Sequence, residues 1–180
     1  MKIGIDISQI IYNGGVGEYL THLIQEMVKI DTKNKYILFG SSLRGRDRFK
    51  QFQQSLTCYQ NVSFKFISIP PFVLDIMWNR LHMFPIESFI GEIDIFITSD
   101  WTEPPTSTAK KVTILYDVIV YKFPEETDAK IIATQKRKLK WVKKEVSTIL
   151  CISESTKKDA IEVLGIPENN LKVIYPGTTL

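Results

Sequence analysis

The sequence is poor in cysteine, and its two residues, Cys58 and Cys151, stand far apart with no Cys-x-x-Cys pair and no Cys/His cluster around either. That argues against a disulfide framework and a thiolate metal centre, and leaves two reduced thiols as the expectation. Long apolar runs are missing as well. The most apolar stretch, from Phe64 to Phe84, is broken by Pro70, Pro71, Asp75, Asn79 and Arg80, and falls short of the roughly 20 apolar residues that a spanning helix requires. Net charge is small: 23 basic and 20 acidic residues leave +3, without the basic excess typical of nucleic-acid-binding domains. The opening Met1-Lys2-Ile3-Gly4-Ile5-Asp6 lacks the basic region, apolar stretch and cleavage site of a signal peptide, so a cytoplasmic chain is expected. No repeat or low-complexity tract interrupts the 180 residues.

What is present is an alternation of short apolar runs and amphipathic stretches. Lys2 to Ser8, Tyr36 to Phe39, Val62 to Ile69, Ile93 to Thr98, Val112 to Tyr116, Thr148 to Ile152 and Leu171 to Tyr175 read as strands. Between them, Val16, Leu20, Leu23, Ile24 and Met27 recur at spacings of three and four and mark a helix that starts near Gly15. Asp47 to Leu56, Phe72 to Ile90 with Pro85 opening a second short helix, Ala129 to Val146, and Ser155 to Leu164 closed by Gly165 supply the others. Strands alternating with helices predict an α/β fold with a doubly wound parallel sheet, Rossmann-like, in one domain over residues 1–180. The ending Pro176-Gly177-Thr178-Thr179-Leu180 follows a strand directly, and is read as the cut edge of a longer protein.

Three places along this pattern can carry chemistry. Gly14-Gly15-Val16-Gly17 lies between the first strand and the first helix, where backbone N–H groups and the helix dipole favour an anion and a missing side chain lets a ligand approach. The plain alternative is a tight turn that needs positive φ. Leu20 stands where G-x-G-x-x-G wants its third glycine, and Gly40-Ser41 ends the second strand without a ribose-binding carboxylate, which disfavours a nicotinamide-dependent oxidoreductase or epimerase. Asp117, after the strand Val112 to Tyr116, belongs at the carboxyl end of the sheet, where such folds bind ligands; it can meet a substrate hydroxyl or anchor its own loop. Ser153 and Glu154 stand at the equivalent end of a later strand, while Thr156 with Asp159 fits a reciprocal helix cap. His22 and His82 have no partner motif, and read as surface or partly packed side chains.

Together, Gly14-Gly15-Val16-Gly17-Glu18-Tyr19, then Tyr116-Asp117-Val118 through Phe123-Pro124-Glu125, then Ile152 to Asp159 with Leu164-Gly165-Ile166-Pro167 and Val173-Ile174-Tyr175-Pro176-Gly177, resemble the N-terminal half of a retaining family 4 glycosyltransferase. The resemblance implies one half of a GT-B architecture, two Rossmann-like domains facing across a cleft. It also implies transfer of a sugar from a nucleotide sugar to an acceptor hydroxyl with the anomeric configuration kept, with no cofactor and no obligatory metal. This chain then corresponds to the acceptor-side domain, and most of the donor pocket belongs to a C-terminal domain. Position by position, Gly14 and Gly15 match the glycine loop, Asp117 the aspartate of a His-Asp motif, and Ser153 and Glu154 a Ser-Glu pair. Tyr116 departs from the pattern, since the family usually has histidine there, and a phenol is a poor base at neutral pH. A non-catalytic binding domain of the same fold is the alternative that this departure raises.

A sugar or a lipid-linked molecule fits the acceptor role. For the second, Phe72, Val73, Ile76, Met77 and Trp78 offer an apolar face to a membrane, and Lys136, Arg137, Lys138, Lys140, Lys143 and Lys144 a basic one. The plainer expectation, and the preferred one, is that the first segment is core and the second a solvated helix face.

Overall fold

The structure, a computed structural model, describes residues 1–177; Thr178, Thr179 and Leu180, in the ending singled out above, lie outside the described residues. Among the described residues seven strands form one sheet: β1 (Lys2–Asp6), β2 (Lys35–Ser41), β3 (Val62–Ile67), β4 (Ile95–Thr98), β5 (Lys110–Leu115), β6 (Thr148–Cys151) and β7 (Leu171–Val173). The order is β3-β2-β1-β4-β5-β6-β7 and every pairing is parallel. A parallel sheet must be covered on both faces, and the crossover helices cover it. They are α1 (Gly15–Ile30), α2 (Arg46–Ser55), the short α3 (Pro71–Leu74), α4 (Glu87–Ile90) and α5 (Ile119–Lys122), then α6 (Ala129–Glu145) and α7 (Glu154–Leu164). The expected doubly wound, Rossmann-like α/β fold is the one observed.

Ile5, Leu20, Ile24, Leu38 and Phe49 pack one part of the core, and Phe39, Trp78, Ile86 and Phe96 another. The chain reverses direction across the sheet between β1 and β4, and at such a switch point the loops diverge and leave a crevice beyond the strand ends.

Two expectations need correction. The stretch from Phe72 to Ile90 is not helical up to Pro85. After α3 the backbone widens into a π-helical turn, Asp75–Arg80, with Leu81 N donating to Ile76 O at 2.9 Å. It then breaks at His82 and Phe84, whose φ values are +52° and +62°. The cause is packing: Asn79 must reach the loop after β4, donating to Trp101 O and accepting from Glu103 N, while Trp141 of α6 donates to Asn79 O. Trp78 is only 1% exposed, as the preferred core reading of its segment expects and the lipid-facing alternative does not, because its indole packs against Phe39 and Phe89 and donates to Phe84 O. Finally, the cap of α7 is Ser153, not Thr156 with Asp159. β6 ends at Cys151, so the helix begins at once, and Ser153 Oγ accepts from Thr156 N at 3.1 Å.

Candidate active-site crevice

The crevice lies at the carboxyl edge of the sheet and has two walls. One is the entry to α1. Gly14 and Gly15 are exposed there, and a Cβ at either would meet nothing within 4 Å. Gly14 has φ 166°, an extended conformation open to any residue, so the turn does not demand positive φ. The packing glycine is Gly17: its Cβ would stand 3.0 Å from the carbonyl oxygens of Gln9 and Tyr12. What Gly14 and Gly15 provide is free space over the unpaired N–H groups at a helix start.

The other wall is built from the ends of β4 and β5 and the face of α6. Tyr116 is buried; its ring meets Tyr19 edge-on with centroids 5.7 Å apart, and its hydroxyl lies 3.2 Å from Ser99 Oγ. Burial raises the pKa of this phenol, so it stays neutral as a hydrogen-bonding group. Asp117 is exposed. Its Oδ1 accepts from Ile119 N at 3.0 Å and so orders the start of α5, while its Oδ2 takes no protein hydrogen bond among the described residues.

Behind these residues lies a buried ionic group that motif reading did not single out. Lys138, expected on a solvated helix face, is 2% exposed and donates to Ser99 O. Burial lowers its pKa, against the pull of Glu103, Asp100 and Asp6. Burial also raises the carboxyls of Asp6 and Asp100, though Ser8 bonds oppose it at Asp6, and Lys138 and a 2.9 Å bond from Gln135 oppose it at Asp100. Deeper still, Glu103 accepts from Thr98 and Thr113, and Lys111 spans the 3.4 Å to Glu103 and the 2.7 Å to Glu145. The signal for Lys138 was available: it stands next to Leu139 and four residues before Val142, on the buried line of α6. The lysines around it in sequence concealed it.

Two cavities meet at Tyr116, Asp117 and Val16. One of about 200 Å³ runs under Asp100, Trp101, Gln135 and Lys138. The other, an open groove of about 760 Å³, passes Gly15 and Tyr19 to Tyr175 and Gly177. The structure therefore brings Gly15, Tyr116 and Asp117 together. Gly14 lines a separate hollow of about 300 Å³ between α1 and α2. Ser153 and Glu154 line none of the three, and Ser153 is occupied with its cap. Among the described residues no group of three or more His, Cys, Asp or Glu side chains is arranged to hold a metal ion.

With this crevice described, the comparison with known families decides the assignment. Residues 13–180 match the family described as Glycosyltransferase Family 4. The chain belongs to glycosyltransferase family 4. No curated protein matches it. The match begins at the glycine loop and takes in every strand from β2 onward, so the family's sugar-transfer chemistry, with a sugar donor and an acceptor, is the frame in which the crevice is read.

Proposed function

We propose that this domain is the acceptor-side half of a GT-B enzyme that moves a sugar from a nucleotide sugar to an acceptor hydroxyl with retention. A C-terminal domain would hold most of the donor. The observation that carries the reading is the meeting of two cavities at Tyr116 and Asp117, beside the unobstructed N–H groups at Gly15.

In this reading the backbone at Gly15 meets the donor diphosphate, where negative charge grows as the sugar leaves; helix-start N–H groups are already oriented for that charge and need no rearrangement. Asp117 accepts from a sugar hydroxyl through its unused Oδ2, and Tyr116, held neutral by burial, donates or accepts a hydrogen bond without acting as a base. Ser153 and Glu154, at the carboxyl end of β6, contact the donor only once the second domain closes over the edge. The acceptor enters through the smaller cavity, past Trp101 and Asp100. Two free thiols, one exposed at Cys58 and one buried at Cys151, support a cytoplasmic setting.

The test uses the complete gene product with a panel of nucleotide sugars and acceptors. Acceptor-dependent release of nucleoside diphosphate is expected, with the product's anomeric linkage matching the donor's by NMR. No release with any donor, or an inverted linkage, overturns the reading.

A further inference from the structure

We propose that a strip formed by the segment 72–84 and the exposed face of α6 docks on an anionic lipid surface. The inference goes beyond the transfer reading and does not depend on it. The segment is not simply core, as the sequence suggested. Phe72, Ile76, Leu81, Met83 and Phe84 are 67%, 41%, 59%, 50% and 53% exposed. Single exposed apolar residues are ordinary, whereas five within thirteen residues of one segment are not scattered singly.

The second observation is independent of the first. From Ala129 to Lys144, α6 contains seven basic residues and no acidic one. Lys138 is buried and Arg137 is bound to Asp75 at 2.7 Å. Lys130, Lys136, Lys140, Lys143 and Lys144 remain exposed, with no carboxylate partner among the described residues. A helix face evolved only for solubility usually intersperses acids at i,i+4; this face does not.

The two features are joined physically. His82, inside the apolar segment, stacks on Trp141 of α6 with ring centroids 3.6 Å apart, and the ammonium groups of Lys140 and Lys144 lie 5.4 and 5.0 Å from the centroid of the same indole. Exposed Leu81, Met83 and Phe84 are thus within two residues of the histidine that stacks on a tryptophan decorated with lysines. Such a surface suits the boundary of a bilayer, where apolar side chains enter the acyl region, an indole sits at headgroup level and lysines meet anionic headgroups. A second copy of this chain suits it less, because it would set the same unpaired lysines against each other. The strip also adjoins the crevice, since Asn79 in its π-helical turn holds Trp101 O.

The experiment is sedimentation of the chain with vesicles of phosphatidylcholine alone and of phosphatidylcholine mixed with phosphatidylglycerol. Partitioning about tenfold stronger onto the anionic vesicles is expected, weakening as salt rises, because exposed charges are screened over about 10 Å at roughly 0.1 M. Leu81→Ser with Met83→Ser, and separately Lys140→Gln with Lys144→Gln, should each release the protein while far-UV circular dichroism and melting stay unchanged. Equal recovery from neutral and anionic vesicles overturns the proposal. So does binding that both double variants retain, or a concentration-dependent dimer that the Leu81→Ser, Met83→Ser variant abolishes, which would make a second copy the occupant. Loss of vesicle binding with nucleotide release unaffected would leave the transfer reading intact.

Discussion

The two walls of the crevice are made of opposite materials. At the start of α1 the wall is backbone and empty space: Gly14 and Gly15 are exposed and nothing packs over them. Across from it, the wall is dense with buried charge, with Asp6, Glu103 and Lys138 each at most 3% exposed. A wall that works through space can be altered with little effect on the fold. A wall that works through buried ions cannot, because each charge is compensated only by its neighbours.

The largest expected effect tests the second wall. Lys138→Ala removes the buried cation that favours the ionised forms of Asp6 and Asp100 and that donates to Ser99 O, while Glu103 keeps Lys111 at 3.4 Å; removal of one charge from a buried ionic group costs about 3–5 kcal/mol. Urea denaturation should show it; a loss below about 1 kcal/mol would mean that the carboxyls accommodate by protonation and the wall is softer than its burial implies.

A smaller effect depends on pH. Burial alone would raise Asp75, but hydrogen bonds from Arg137, Asn79 and Arg80 bring its folded pKa below the ordinary 3.8. A carboxyl whose folded value is depressed contributes stability that is complete above its unfolded value and is lost as pH falls through the folded one. Asp75→Asn should therefore destabilise the protein near neutrality, and its deficit should shrink below pH 3.8. A deficit that stays constant through the acid range would assign the loss to packing instead.

Within the first wall, adjacent glycines should behave differently. Gly17→Ala forces a Cβ to 3.0 Å from two carbonyl oxygens, and such overpacking costs about 1–3 kcal/mol, partly offset by the better helix propensity of alanine. Gly15→Ala meets nothing within 4 Å and should change stability by no more than about 0.5 kcal/mol. Turnover of the complete enzyme should fall at Gly15 all the same, if its N–H groups meet the donor. Thermal melts and nucleotide release on the two variants separate packing from ligand approach.

The smallest stability change is expected for Asp117→Asn. The amide oxygen still accepts from Ile119 N, so the anchor survives while the charge is removed; stability should hold within about 0.5 kcal/mol and turnover should drop. A melting temperature that falls in step with turnover would show Asp117 to be an anchor alone.

The sequence by itself determined the order of strands and helices, the parallel sheet, the glycine loop at the first crossover and the position of Asp117 at a strand end. These are local properties: apolar periodicity, glycine placement and chain order constrain them without reference to distant residues. Only the tertiary structure decided the rest. The stretch from Phe72 became a π-helical turn because Asn79 had to satisfy Trp101 O and Glu103 N, whose positions depend on β4. Lys138 left the solvated face because its stem packs on the buried line of the helix and its ammonium donates to Ser99 O, where the charges of Glu103, Asp100 and Asp6 favour it. Gly14 and Gly15 looked like one motif with Gly17, yet only Gly17 is pressed against backbone from the preceding loop. Burial, charge compensation and close approach are properties of pairs far apart in the chain, and a linear pattern holds them only as helical phase, which at Lys138 the neighbouring lysines hid.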